Sequence, residues 1–410
     1  MRINNPYICS SRNEKLISMS LELDALQTMA LGILALLSGD FINKRSRFLK
    51  RICIPSPVTG GIIFSFVSLA LHNILDLEIS FNDTLKDICM VMFFTTVGYQ
   101  SNLKVLKKGG KPLAIMILLV TLIIVMQNLV GTGMARALGL DPLVGLASGS
   151  ITMCGGHGTA AGFNDLLESK GLSSAITLTM AAATFGLLGG SLLGGPLAEW
   201  IIRRKRLSPD DNTQEYLSWQ EDSRSGKTEN YAKATIEIFI AAGVGTLVSK
   251  LLAHTGLTFP TYFGALISAV VIRNVAELIP RCPKPSMAEI SSIGEISLSL
   301  FLGMAMVSLK LWELSGLALP VLLILVIQVV TMALFSRFVA FPMLGGNYDA
   351  AVLVGGICGF GLGATPNAMA NISAICRKNG YTPMPFILIP VVGAMFVDII
   401  NVALISLFLL

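Results

Sequence analysis

The chain has 410 residues, 53% of them hydrophobic and only 13% charged, with 30 Lys and Arg against 25 Asp and Glu and a formal net charge of +5. A soluble domain carries about 25% charged residues, so this chain has too little polar side chain to cover a water-facing surface; it reads as an all-α polytopic membrane protein. The same composition excludes collagen-like, coiled-coil and disordered classes. In a membrane chain, the surplus of positive charge reports loop orientation rather than nucleic-acid binding.

Residues 1–20 read as an N-terminal extension. A helix needs about 20 apolar residues to cross the hydrocarbon core. That ruler predicts ten crossings, at 22–42, 56–75, 85–102, 112–138, 174–202, 232–253, 259–279, 288–311, 316–342 and 382–409. Arg12 and Lys15 before the first apolar run would suit a cleaved signal peptide. No A-x-A pattern follows, however, and five positive residues lie at 44–51, which favours an uncleaved first helix. Two further apolar stretches, about 143–165 and 347–376, are rich in Gly. A hydrophilic segment, 204–231, reads as a linker between two halves, 21–203 and 232–410.

Charge placement orients the helices. Lys44, Arg45, Arg47, Lys50 and Arg51 follow the first crossing, Lys104, Lys107, Lys108 and Lys111 follow the third, and Arg203, Arg204, Lys205 and Arg206 follow the fifth. Positive residues favour the cytoplasmic side. If both Gly-rich stretches return to the face they enter from, the odd-to-even loops hold 21 of the 30 Lys and Arg. Those loops and the linker are then cytoplasmic, and both termini face outward. The seven Cys (9, 53, 89, 154, 282, 358 and 376) form no CxxC pair and read as small apolar packers. Three His without HExxH leave a zinc hydrolase little to work with.

An internal repeat shows at an offset near 206. Leu103-Lys104 matches Leu309-Lys310, and Gly149, Gly155 and Thr159 match Gly355, Gly361 and Thr365. In each half the Gly-rich stretch falls between the fourth and fifth crossings. Five is odd, so the second half runs through the membrane inverted relative to the first. Inverted repeats that bring interrupted segments to the midplane are the architecture of secondary transporters.

Each Gly inside a helix costs about 1 kcal/mol relative to Ala. Three Gly within residues 155–158 and five within 355–363, followed by Pro366, therefore predict breaks in both stretches. Broken backbone at membrane depth must be buried in protein or line a watery cavity. A helix that resumes there offers free N–H groups and a positive dipole end to a carboxylate, while unwound carbonyls suit Na⁺. The bland alternative is that the Gly residues only permit close packing. Candidate substrate-binding residues are Ser150, Thr152, Gly155, Gly156, His157, Gly158 and Thr159 in the first stretch. In the second they are Gly361, Gly363, Ala364, Thr365 and Asn367.

Polar residues within apolar runs extend the set. Asp398 lies in Val391–Asn401, with Asn401 one turn later on the same face; an intramembrane acid normally has a partner or a task. Asp398, Asn401, Gly359 and Thr365 are the candidate Na⁺ ligands, and Asp398 and Asn401 could instead bind a substrate's ammonium group. Arg273 could fork a carboxylate or snorkel to the interface, and Asn274 beside it joins the substrate candidates. Gln127-Asn128, mid-crossing, could be interhelical glue or ligands. His157 could carry a proton or make an orienting hydrogen bond.

Gly155-Gly156-His157-Gly158-Thr159 and Gly359-Phe360-Gly361-Leu362-Gly363-Ala364-Thr365-Pro366, in this order, resemble the bacterial sodium/glutamate symporters. So do Thr184-Phe185-Gly186-Leu187, Leu311-Trp312-Glu313-Leu314, Asn347-Tyr348-Asp349-Ala350-Ala351 and Asp398-Ile399-Ile400-Asn401. Ala160 and Asn367 stand where the family pattern has Gly and Thr. The resemblance implies Na⁺-coupled uptake of L-glutamate across a bacterial inner membrane, with no cofactor beyond the coupling ion. It also implies a homodimer whose transport domain slides past a scaffold, with two re-entrant loops meeting at the substrate. A di- or tricarboxylate symporter of the same architecture is the near alternative. No catalytic dyad supports an intramembrane hydrolase, and a channel is separated by whether substrate accumulates against its gradient.

Overall fold

A computed structural model of the chain describes residues 19–46, 49, 55–75, 77–101, 103–173, 175–209, 228–254, 259–260, 262–279, 285–314 and 316–409. Residues 1–18 of the extension, linker residues 210–227, and Cys9, Cys53 and Cys282 lie outside these. Cys89, Cys154, Cys358 and Cys376 are buried and free.

Each of the ten predicted crossings is helical. The first four are α1 (Ala25–Arg45), α2 (Ser56–Leu75), α3 (Thr84–Gln100) and α4 (Leu103–Ala137). Four short helices follow: α5 (Pro142–Ala147), α6 (Ser150–Met153), α7 (Gly156–Gly162) and α8 (Asn164–Ser169). Next come α9 (Ala175–Lys205), α10 (Thr228–Ala253), α11 (Phe263–Leu278), α12 (Met287–Val307) and α13 (Ala318–Met343, whose last turns include a π segment, Ser336–Ala340). The chain ends with α14 (Tyr348–Gly361), α15 (Thr365–Asn379) and α16 (Met384–Val392), which continues through a π turn, Gly393–Val397, into α17 (Asp398–Phe408).

Among the described residues, seven helices are long and apolar enough to cross a membrane. The exceptions among the ten are α3 and α11, at 17 and 16 residues, and the α16–α17 unit divided by its π turn. A short parallel strand pair, Met19–Glu22 with Leu77–Ser80, is an addition to the all-α expectation. α1 begins where Asp24 and Gln27 form a reciprocal cap: the Gln27 amide donates to Asp24 Oδ1 at 2.8 Å and the Asp24 amide to Gln27 Oε1 at 3.0 Å.

The helices sort into two bundles. α1, α2, α3, α10, α11 and α12 pack on one another, and so do α4 to α9 with α13 to α17. The bundles meet where α3 touches the π turn at 393–397, where α7 touches α12, and where the 3-10 turn Leu311–Leu314 reaches α9 and α2. The outer face of α10 exposes Ile236, Phe239, Ile240, Val244, Leu247 and Leu251. In a soluble protein that patch would aggregate; facing lipid it has no such cost.

Close backbone approach inside each bundle depends on glycine. A Cβ on Gly145 of α5 would overlap the carbonyl of Gly131 on α4, and the converse holds as well. Gly133, two residues from Gly131, has nothing within 4 Å. We therefore expect Gly145→Ala to lower stability by about 1–3 kcal/mol through overpacking. Gly133→Ala should be neutral or stabilising, since Ala is the better helix former by about 1 kcal/mol. Melting temperatures of the two variants purified in the same detergent check the contrast.

Candidate functional site

The second Gly-rich stretch folds as a helical hairpin. α14 and α15 run antiparallel: the Asn371 amide donates to Gly355 O at 3.1 Å, and a Cβ on Gly359 would lie 2.5 Å from the Ala368 backbone. The break differs from the sequence expectation. Gly355, Gly356, Gly359 and Gly361 all lie within the unbroken helix α14, where they admit the neighbouring helix; the chain breaks only at Leu362–Ala364. Pro366 falls in the first turn of α15 rather than interrupting a helix, and its missing N–H costs nothing there. α15 starts after Ala364 without a side-chain cap; the Asn367 amide donates to Ala364 O at 3.0 Å and Pro366 has none to offer, so the positive dipole end there is free of a capping side chain.

The first stretch is broken more thoroughly, at Ser148–Gly149, at Cys154–Gly155 and at Phe163. Thr152 Oγ1 bridges the first break by donating to Ala147 O at 2.8 Å. Gly156 has φ +60°, which an L side chain rarely adopts, and a Cβ there would lie 2.7 Å from Gly363 O. The tips of the two stretches therefore touch, backbone to backbone. This contact requires glycine on both steric and conformational grounds.

Carboxamide side chains hold the breaks in place. Asn128 Oδ1 accepts from the Ser150 amide at 2.9 Å, and Asn401 Nδ2 donates to Ser150 O at 3.0 Å. Gln127 Nε2 donates to Gly361 O, and Gln328 Nε2 donates to Gln127 O at 2.7 Å. Asn367 Nδ2 donates to Leu187 O at 2.9 Å, and Asn371 also reaches Gly190 O at 3.1 Å. All six amides are buried. Gln127 and Asn128 thus serve as interhelical glue.

Beside the touching tips sits the one acid of the set. Thr159 Oγ1 donates to Asp398 Oδ1 at 3.2 Å, and the Asp398 side chain is partly buried rather than sealed. Ser150 Oγ and Asn401 Oδ1, close by, are buried oxygens without a hydrogen-bond partner. Among the described residues no three His, Cys, Asp or Glu side chains cluster as metal ligands. One carboxylate among neutral oxygens suits a hard, singly charged cation. His157 Nε2 lies 3.0 Å from Thr184 Oγ1, whose own proton goes to Met180 O at 2.8 Å. The imidazole therefore donates through Nε2, an orienting role.

Two comparisons with known proteins place the chain in a family. The family model described as sodium/glutamate symporter matches residues 21–381. The sodium/glutamate symporter of Escherichia coli is 42% identical over 393 residues, covering 95% of this chain and 98% of that protein. The one from Haemophilus influenzae is 39% identical over 395 residues, covering 95% and 98%. The chain belongs to the sodium/glutamate symporter family. It is a multi-pass membrane protein and a transporter rather than an enzyme.

Several expected site residues gather at the touching tips of this symporter fold: Ser150, Thr152, Gly155, Gly156, Thr159, Gly363, Asp398 and Asn401. A Cβ on Gly155 would lie 2.8 Å from Asn401 Nδ2, and Gly158 packs under the Phe93 ring. Others stand apart. Thr365 lies against Gly393 in the π turn, Gly359 is packed on Ala368, and Gly361 is held by Gln127. Asn274 donates to Ser101 O and Val270 O, both at 2.8 Å, and so ties α11 to the end of α3. Arg273 pairs with Glu277 at 2.6 Å on its own helix. Sequence reasoning missed Gln328 and Asn371. Gln328, a lone amide in the apolar run Val321–Val330, carries the same signal that singled out Gln127.

Gln127→Leu leaves the Gly361 carbonyl buried without its donor. We expect a stability loss of about 1–3 kcal/mol and reduced uptake, although no hydrogen bond links Gln127 to Asp398. Melting temperature and initial uptake rate, measured on the same preparation, check both.

Proposed function

We propose that the chain is a secondary active transporter that couples inward Na⁺ movement to uptake of L-glutamate across the bacterial inner membrane. The observation that carries this reading is the contact of two broken segments, Gly156 against Gly363 O, beside the partly buried Asp398. Each segment enters from and returns to one face as a re-entrant loop, the two from opposite faces, so that the halves 21–203 and 232–410 form inverted repeats joined by the cytoplasmic linker 204–231. Broken helices meeting at the midplane build the substrate site of many secondary transporters.

In this reading the positive dipole end of α15, with the Gly363–Ala364–Thr365 backbone, receives a substrate carboxylate, and Asn367 holds that end on α9. Ser150, Thr152 and the Gly155–Thr159 segment line the opposite side. Na⁺ sits at Asp398 with Asn401, whose Oδ1 lacks a partner. The ion offsets the desolvation of the acid, and the occupied site is then ready for an anionic substrate. Each ligand raises the affinity for the other by the same factor at equilibrium. The sparse bridging between the two bundles supports an elevator motion, with α4 to α9 and α13 to α17 sliding past the rest. The positive loops support both termini facing outward. Family resemblance supports a homodimer.

The test is uptake of labelled L-glutamate into proteoliposomes with a Na⁺ gradient, a Li⁺ gradient or a proton gradient as the sole driving force. Accumulation against the glutamate gradient with Na⁺ alone is the expected result; equilibration without accumulation would indicate a passive pore. Competition by citrate or malate, but not by D-glutamate or aspartate, would move the substrate class to di- and tricarboxylates. Asp398→Asn removes the acid at the tips and should raise the half-saturating Na⁺ concentration by roughly ten-fold or more. Unchanged Na⁺ dependence would remove Asp398 from the ion site.

A further inference from the structure

Tyr262 belongs to the other bundle from Asp398, immediately before α11, and its side chain is fully buried. The ring stacks on Phe94 of α3, with centroids 3.7 Å apart and planes 13° from parallel. Its other edge lies against Gly162 at the end of α7, where a Cβ would run into the ring. The phenol is therefore aimed by three elements at once. Gly162 lies one helical turn after Thr159, whose Oγ1 donates to Asp398 Oδ1 at 3.2 Å, and the Tyr262 hydroxyl beside it is buried without a hydrogen-bond partner.

A buried phenolic hydroxyl normally finds a partner, and leaving one unpaired is destabilising. Here the orphan oxygen belongs to a ring seated one helical turn from the Thr159–Asp398 pair. An anion placed beside it would be repelled by Asp398. A cation would be drawn at once by the carboxylate and by the oxygen lone pairs of Tyr262. We propose that the Tyr262 hydroxyl is a ligand for the monovalent cation held at Asp398, supplied across the junction of the two bundles. The inference rests on the reading of Asp398 as a cation site. Two sources share the chemistry: Na⁺ and the ammonium group of an amino-acid substrate.

The placement has a mechanical corollary. If one bundle slides past the other, Asp398 travels and Tyr262 stays. The Tyr262 oxygen is then present in one register only, and the cation is held more tightly there than in the other. Release after sliding follows from losing this ligand, with no change needed in the rest of the site.

Tyr262→Phe tests this, because it keeps the ring, the Phe94 stack and the Gly162 contact and deletes one oxygen. If the hydroxyl bound nothing, deleting an unpaired buried group would leave uptake unchanged. In proteoliposomes of the full chain we expect the half-saturating Na⁺ concentration to rise roughly ten-fold, which assigns the ligand to Na⁺. An equal rise in the glutamate KM at saturating Na⁺ instead assigns it to the ammonium group. Without either ligand, the melting temperature of the variant should equal or exceed that of the parent; the rise that the parent shows on adding Na⁺ or glutamate should shrink. A ligand-free melting temperature that falls marks a structural hydroxyl and overturns the proposal, as do unchanged half-saturation values for both ligands. If the parent protein shows no Na⁺-driven uptake, the reading of function fails instead; the Na⁺-induced melting shift, compared between parent and variant, still decides the role of Tyr262.

Discussion

The structure depends on one constraint: backbone polar groups freed by a helix break have no water to turn to at membrane depth. An unpaired group there costs several kcal/mol. This chain breaks its helices around residues 148–155 and 362–364, and it meets the cost with side-chain amides from neighbouring helices. Asn128, Asn401 and Gln328 serve the first break and Gln127 the second, while Asn367 ties the start of α15 to Leu187 O of α9. Asn371 clasps the hairpin to α9. An amide can donate and accept without carrying charge, so it satisfies a carbonyl without adding an ion that would itself need a partner. The tips are thereby fixed while the nearby acid, Asp398, accepts only from Thr159 among the described residues.

Glycine solves the complementary problem of distance. Amide clasps of 3 Å require backbones to approach more closely than side chains normally allow, and Gly186, Gly190 and Gly194 on one face of α9 let the hairpin α14–α15 settle against it. The second bundle is thus knitted by backbone-to-amide contacts, whereas its border with the first bundle is largely aromatic and aliphatic. Phe93, Phe94 and Tyr262 at this border offer smooth surface rather than interlocking polar pairs. Strong internal bonding beside a border with few directional bonds is the arrangement that relative motion of two rigid bodies requires.

The fold was legible where a physical rule acts over a whole segment. Hydrophobic length located a helix at each of the ten predicted crossings, seven of them long and apolar enough to span, because the hydrocarbon thickness sets that length. The short β pair escaped, since four-residue strands leave no periodic trace. Glycine content located the broken stretches but misplaced the second break. Within α14 the glycines serve packing against Ala368, Ile372 and Ile375, and a bare sequence does not distinguish that use from unwinding. Of the site, Asp398 and Asn401 stood out as polar residues in an apolar run, and the structure sets them beside Thr159 and Ser150. Asn274 looked equivalent by the same criterion, but its amide serves the end of α3, a tertiary contact that no local pattern encodes. Tyr262 lay outside that criterion, because a tyrosine near a helix start is unremarkable until its neighbours are known.

The π turn at Gly393–Val397 sets where Asp398 points. A π turn is one residue inserted into an α-helix. Everything after it is therefore rotated by about 100° about the helix axis relative to α16, the angle one residue subtends at 3.6 per turn. Asp398 and Asn401 face the tips only because of that inserted residue. A chain shortened by one at Ala394 or Met395 would keep its hydropathy and its length within a crossing, yet turn both side chains toward a different neighbour. Relatives that differ by a single-residue gap in this helix would thus be expected to present different side chains to the tips even where every residue around them is the same.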